Sequence, residues 1–206
     1  MKTQNGFTLL ETEKEFKEWL DKQKPTRKIT KLQVHHMDLP NYTTWKTTDE
    51  KVYGDNKELG RTKALDDYGK QTWKYSDGHG HYIAQHFNIF PNGKITTGRN
   101  LNSTPVGIKG WNTNAICIEI YGCFDKGKDK MTEEQKKAVI FVYALLSKKF
   151  NISINCGFNS SLPESNSTSG SIKLIVPSRS ILMLHSSISS LNSSYKSLYI
   201  LPLVSS

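Results

Sequence analysis

The run Ala115-Ile116-Cys117-Ile118-Glu119-Ile120-Tyr121 constrains the fold more than any other stretch of the chain. A nearly continuous apolar segment of strand length, rich in isoleucine, is the pattern of a central strand covered on both faces. It requires packing layers above and below, and the sequence around it supplies them. A second strand, Ile29 to His36, is also largely apolar and ends in the adjacent histidines His35 and His36. Successive strand side chains point to opposite faces. Leu32, Val34 and His36 therefore share one face, and Gln33 and His35 the other.

Helices flank these strands. Thr12 and Glu15 form a capping-box pattern at the start of a helix running to Gln23, with Phe16, Trp19 and Leu20 on one side and Pro25 as its stop. Thr132 with Gln135 opens another, whose Val139, Val142, Tyr143, Leu146 and Phe150 make a single apolar stripe. A third is expected over Arg61 to Tyr75, with Leu65, Tyr68 and Thr72 at helical spacing. His81 to Phe90 alternates as a strand, Pro91-Asn92-Gly93 supplies a turn, and Lys94 to Thr97 returns as the partner of a hairpin. The expected architecture is α/β, a mixed β-sheet flanked by helices.

Two stretches read as loops. Residues 39–60 are polar with Tyr42, Trp45 and Tyr53 scattered through them; these aromatics either stack on sugar rings or close over the core. Residues 98–114 are rich in glycine and asparagine and carry Arg99, Lys109 and Trp111.

The formal net charge of +9 favours polyanionic partners, whether nucleic acid, an anionic membrane surface or a cell wall. The basic residues follow no helix-turn-helix, zinc-finger or single-strand-binding pattern, which argues against nucleic acid. No run approaches the ~20 apolar residues needed to span a bilayer, so stable membrane insertion is not expected. The first residues lead into a charged helix instead of an apolar signal core, and the three cysteines, Cys117, Cys123 and Cys156, form no CxxC pair. Synthesis in the cytoplasm without a disulfide framework is the expectation.

After Phe150 the composition changes. Residues 151–206 contain 18 serines and only 4 charged residues, against 43 charged residues in the first 150. The expected organisation is a domain over 1–150, lacking its own C-terminal part, and a Ser-rich irregular tail over 151–206. A plain linker would hold less leucine and isoleucine, which favours an out-of-frame translation of an AT-rich gene over a disordered spacer.

Glu119 is the most informative single residue for chemistry. An ionised carboxylate is rarely buried unless paired or metal-bound, and partial burial raises its pKa toward the range of a general base. The alternative is a structural carboxylate paired with a Lys or Arg at a sheet edge. An imidazole at a strand end, as at His35, suits a metal ligand or a proton shuttle, although a histidine pair alone is more often ordinary surface. Together they suggest metal-assisted hydrolysis, in which a carboxylate takes the proton of an activated water. The HExxH spacing of zinc helices is absent, and His79, His81 and His86 lie in a turn and hairpin that define no coordination geometry.

Three segments, Val34-His35-His36, Ile83-Ala84-Gln85-His86-Phe87 with Pro91 to Arg99, and Asn112 to Ile120, together resemble the type 2 N-acetylmuramoyl-L-alanine amidases. These share a fold with the peptidoglycan recognition proteins, and the wording is similar to the amidase domains of clostridial phage endolysins. The resemblance covers roughly Ile29 to Phe150. It implies a zinc site in a groove that binds the peptide stem of peptidoglycan, and hydrolysis of the amide between N-acetylmuramic acid and L-alanine. By position His35 would be the first zinc ligand and Glu119 the water-activating carboxylate. His36, His86, Trp111 and Asn114 would contact substrate around the groove. Gln85 stands where other members place a tyrosine. The family's other two zinc ligands, a His and then a Cys or Asp about eight residues later, follow the last helix; here that region offers Cys156 and His185 in the reverse order. The zinc site is therefore expected to be incomplete and catalysis weak or absent, with a non-catalytic peptidoglycan-binding module as the alternative. Acting on the wall would follow release from the cytoplasm.

Overall fold

The computed structural model describes residues 1–154 and the pairs 171–172, 175–176 and 201–202. In chain order the elements are β1 (Lys2–Gln4), β2 (Phe7–Leu10), α1 (Glu13–Lys22), β3 (Lys31–His36), α2 (Tyr42–Thr44), α3 (Glu50–Tyr53), α4 (Lys57–Gln71), β4 (Phe87–Ile89), β5 (Ile95–Thr97), β6 (Ala115–Ile120) and α5 (Glu133–Phe150). Two-residue strands β7 (Ser153–Ile154), β8 (Ser171–Ile172), β9 (Ile175–Val176) and β10 (Leu201–Pro202) follow. The main sheet has the order β1-β2-β5-β4-β6-β3-β9-β10. It is mixed: β6 runs parallel to both β3 and β4, whereas β1–β2, β2–β5 and β4–β5 are antiparallel. The expected α/β architecture is present. The assignment of residues 151–206 to a tail lies almost entirely outside the described residues, as do Cys156 and His185.

The sheet has two unlike faces. On one, Leu32, Val34, Phe87, Ile89, Ile116, Ile118 and Ile120 join Phe16 and Leu20 of α1 and Val139, Val142, Tyr143 and Leu146 of α5 in the main core. Each fully buried side chain of this kind contributes roughly 1.5–3 kcal/mol. On the other, α4 packs against β2 and β5 through Leu59 and Leu65 with Phe7, Leu9 and Ile83. This second face is polar near the middle of the sheet. Thr62 of α4 shares a 2.6 Å hydrogen bond with Thr96, which accepts from Asn88 Nδ2 at 3.1 Å. Because α4 covers only the β2–β5 side, the β3–β6 side of this face is left for a cleft.

Several local expectations need correction. The 39–60 region is helical almost throughout: α2 passes through a wide π turn over Trp45–Asp49 into α3, and a tight turn at Gly54–Asn56 leads into α4. The sequence hides this because the helical turns are short and lack a sustained apolar period. Trp45 packs on Phe90 and Tyr121, and Tyr42 is packed against the same group. Those two aromatics close over the core. The third helix runs over Lys57–Gln71 instead of Arg61 to Tyr75. In the 81–90 arm of the hairpin only Phe87–Ile89 is strand. Residues 81–86 are held otherwise: Asp66 accepts from the backbone N–H groups of Tyr82 and Ile83, at 2.5 and 2.9 Å, and the carbonyls of Ala84, Gln85 and His86 receive the N–H groups of Val106, Arg99 and Gly98. Both helix caps form at the threonine, which accepts from the third residue on. Neither partner reaches back as the box pattern implies: Glu15 accepts from Glu11, and Gln135 donates to the carbonyls of Ile89 and Tyr121.

His86 is a further correction. It is 1% exposed and does not contact a groove. Its Nδ1 accepts from the Cys117 backbone N–H at 3.0 Å, so the proton sits on Nε2, which donates to the Ser103 carbonyl at 3.0 Å. The ring staples the 98–114 loop to β6. Burial, reinforced by the nearby Arg27 charge, pushes its pKa down to about 3. A released imidazole takes up a proton below about 6.5, so between pH 6.5 and 3 the unfolded chain binds the extra proton and stability falls as pH falls. Replacing His86 with Asn is expected to destabilise by roughly 1–3 kcal/mol. It should also flatten the decline in urea-unfolding free energy between pH 6.5 and 5. An unchanged decline would show that this ring does not titrate as described.

Candidate active site

The parallel pairing of β3 with β6 sets His35 opposite Glu119 and Gln33 opposite Cys117. All four belong to the polar face, since their neighbours Leu32, Val34, Ile116, Ile118 and Ile120 are committed to the core. His35 Nδ1 lies 3.9 Å from Glu119 Oε1, with 21% and 17% of the two side chains exposed. Cys117 is fully buried beside them. One donor atom from each of His35, Cys117 and Glu119 falls within 4.8 Å of the others, the only such group of metal-type side chains among the described residues.

The electrostatics of this cluster are those of un-ionised donors. Burial pushes the Glu119 carboxyl up to about 8. Burial, with a smaller contribution from His36, lowers the pKa of His35. The Cys117 thiol is raised by burial and by the neighbouring Glu119. Each group alone is held neutral because a buried charge without a counter-charge is costly. A cation arriving among them reverses that penalty for all three at once.

Above the cluster opens a cleft of about 710 Å³, within the size range of sites for small ligands. Glu119, Ala84, Gln85 and Val106 line its base. One wall is the segment after β3, with Met37, Leu39 and Pro40; the other is α4, with Arg61, Ala64, Leu65 and Tyr68. Tyr68 is 54% exposed and stacks edge-on against Trp73 at 5.2 Å. Arg61 is anchored from below by Asp49, which is fully buried, receives the guanidinium through Nε at 3.0 Å and also accepts from Tyr121 at 2.6 Å.

The residues expected from the sequence are distributed unevenly. His35 and Glu119 come together. His36 borders the cleft, but its Nδ1 accepts from the Phe124 backbone at 3.4 Å and its other nitrogen faces Asp125 at 4.0 Å. Trp111 and Asn114 do not line the cleft. Lys31 Nζ lies 5.4 Å from the Trp111 ring centroid, and Asn114 adopts a left-handed φ of 61° while its carbonyl receives the N–H groups of Thr30 and Lys31. Asn114 immediately precedes the strand that Glu119 nearly ends, roughly 16 Å away at ~3.3 Å per residue. Arg61 and Tyr68 of α4, and Trp73 just beyond its end, are cleft residues that the helical spacing of the sequence does not mark out. The alternation sets Gln33 on the face of His35 and Cys117 on that of Glu119, and the structure pairs these two as well.

Removing the Asp49 carboxylate by an Asp49→Ala change is expected to cost about 3–5 kcal/mol in chemical denaturation, because Arg61 and the buried Tyr121 hydroxyl lose their acceptor. Asp49→Asn, which still accepts from Tyr121, should recover part of that loss. Equal stability of wild type and Asp49→Ala would remove this pair from the account of how the cleft wall is held.

The family described as N-acetylmuramoyl-L-alanine amidase matches residues 25–160. No curated protein matches the chain in sequence. Among solved structures, the endolysin amidase LysCS of Clostridium intestinale is 24% identical over 61% of this chain, with a TM-score of 0.43. The matched region covers 66% of that protein, just under two thirds. Drosophila PGRP-LB is 16% identical over 63% of this chain and 67% of its own, with a TM-score of 0.48. Manduca sexta peptidoglycan recognition protein 1 is 22% identical over 64% and 65%, with a TM-score of 0.46.

Proposed function

Since the chain belongs to the N-acetylmuramoyl-L-alanine amidase family, we propose that it hydrolyses the amide between N-acetylmuramic acid and L-alanine in peptidoglycan, with a zinc ion bound at His35. The observation that carries this reading is the pairing of His35 with Glu119 at 3.9 Å on the open, polar side of the sheet. His35 Nε2 is buried without a hydrogen-bond partner, and an imidazole beside a carboxylate is a pair of donors suited to zinc. When bound, zinc polarises a carbonyl and acidifies water. The family's remaining ligand positions fall after α5, where Cys156 and His185 stand outside the described residues.

The chain's own residues supply the rest. Glu119 in its ionised form accepts the proton of the attacking water at a carboxylate oxygen and returns it to the departing L-alanine nitrogen. The rise of its pKa to about 8 makes it a stronger base than an exposed carboxylate. Met37, Leu39 and Pro40 offer apolar contact to a peptide stem, and the exposed rings of Tyr68 and Trp73 offer flat faces to a sugar. The net charge of +9 suits an anionic wall. No described helix is long and apolar enough to cross a membrane. Synthesis in the cytoplasm followed by action on the wall after release fits these features.

A second reading, a module that binds peptidoglycan without cutting it, is favoured by one observation. The family's second histidine and the Cys or Asp that follows it have no counterpart in that order after α5, where Cys156 precedes His185. Purified walls separate the two. Hydrolysis releases new L-alanine amino termini without new reducing ends, and Glu119→Gln is expected to slow that release by roughly 10²–10⁴-fold while wall binding persists. Binding with no release from the wild-type chain would favour the module, and release unaffected by Glu119→Gln would remove Glu119 from the chemistry.

A further inference from the structure

Beside His35 and Glu119 stands a donor that the amidase reading leaves unused. Cys117 lies two residues before Glu119 on β6, fully buried, opposite Gln33 of β3. Gln33 is itself 1% exposed. Its Nε2 donates to Asn112 Oδ1 at 3.3 Å, and the same oxygen accepts the Gly107 N–H at 3.0 Å. That arrangement fixes which end of the amide faces Gly107: the carbonyl Oε1, which has no hydrogen-bond partner, as His35 Nε2 has none. A Cβ placed on Gly107 would stand 2.4 Å from Gln33 Oε1, 3.0 Å from Cys117 Sγ and 3.4 Å from His35 Nε2. Gly107 thus packs its backbone against three atoms carrying lone pairs, where any side chain would collide with them. A cysteine acting as a small apolar filler gives no reason for two orphaned polar atoms to gather around it, whereas a bound cation does.

We propose that Cys117 is a thiolate ligand of a divalent-cation site, with the His35 imidazole and the Glu119 carboxylate as co-ligands and the Gln33 carbonyl turned toward the same ion. Donors around a tetrahedral zinc stand roughly 3.3–3.8 Å apart, given bonds of ~2.0–2.3 Å. The present spread of up to 4.8 Å has to close by roughly 1 Å on binding. Binding expels the Sγ proton to solvent and leaves the sulfur lone pair on the metal. A thiolate with an imidazole selects a thiophilic ion of the zinc, cobalt or cadmium kind over magnesium or calcium. The donors all belong to β3 and β6, so this site does not call on Cys156 or His185. The inference deepens the metal half of the amidase reading and rests on it only for the choice of zinc as the resident ion.

Cobalt titrated into the metal-free full chain tests it, since a sulfur ligand gives a thiolate-to-cobalt charge-transfer absorption. One cobalt per chain with that absorption is expected, lost in Cys117→Ser and kept in Cys156→Ser. Gly107→Ala, which retains every donor but drives a methyl against them, should weaken cobalt binding by roughly 10–100-fold, as disturbance of a metal site's surroundings does. Circular dichroism establishes that each variant folds; if Cys117→Ser does not, the contrast between Gly107→Ala and Cys156→Ser decides. Cobalt bound without the absorption, absorption surviving Cys117→Ser or vanishing in Cys156→Ser, unweakened binding in Gly107→Ala, or no cobalt bound would each overturn the proposal. The amidase reading is scored separately by L-alanine amino termini. Their release by a Cys117→Ser chain that still binds zinc one to one would sink this inference alone, and the absorption without release would sink only the amidase reading.

Discussion

The register between β3 and β6 is the constraint on which the rest of the site depends. Six consecutive residue pairs, from Lys31 with Ala115 to His36 with Ile120, fix which side chains look at one another. A slip of β3 by one residue would send Leu32 and Val34 to the cleft and drive His35 into the α5 interface, away from Glu119. The apolar face forbids it, because each of those side chains is worth roughly 1.5–3 kcal/mol when buried. Polar bonds reinforce the choice. The Asn114 carbonyl receives two N–H groups at the start of β3, and Tyr143 of α5 donates to the Gln33 carbonyl at 3.2 Å. The chemical face is therefore specified by the hydrophobic one behind it.

Burying so many polar groups around a sheet is tolerable only where each finds a partner, and most here do. Asn88, Thr96 and Thr62 bond in series, and His86 uses both ring nitrogens. Asp49 gathers Arg61 and Tyr121, while Gln135 spends its amide on two carbonyls and receives the Tyr42 hydroxyl. Four buried polar atoms stand without partners among the described residues, and two of them, Gln33 Oε1 and His35 Nε2, face the same glycine. That concentration distinguishes the cluster from the structural polar contacts around it.

Strong periodic signals carried the fold into view from the sequence. The apolar run of β6, the stripe of α5 and the threonine caps of α1 and α5 are each dictated by neighbours close in the chain. The pairing of His35 with Glu119 was legible through the family resemblance, which places both in one groove, since local patterns give each strand but not which strands are adjacent. The region between Leu39 and Gly60 was not. Its short turns are held by tertiary contacts, such as Tyr42 with Gln135 and Asp49 with Arg61, that no local pattern announces. His86 misled for a related reason. A histidine near an active-site motif invites a chemical role, yet its two ring bonds join segments 31 and 17 residues away in sequence, and only the folded chain shows them.

Cys117 illustrates how a site can be hidden inside a good structural prediction. In an apolar run it counts as one more hydrophobe, and that reading correctly buries it. Yet strands lie ~4.8 Å apart, and residues two apart on one strand stand ~6.7 Å from each other on the same face. Any parallel pair therefore presents a triangle made of one residue on the first strand and two on its neighbour, small enough for flexible side chains to meet at a common point. Filled with His, Cys and Glu, that triangle becomes a donor set, provided nothing plugs its centre. The condition is met by the loop crossing above it, where Gly107 supplies a backbone N–H to Asn112 and no side chain to obstruct the donors. A carboxylate has two oxygens, so Glu119 can hold an ion with one and accept a proton with the other. Metal ligation and base catalysis are thus compatible demands on one residue of β6.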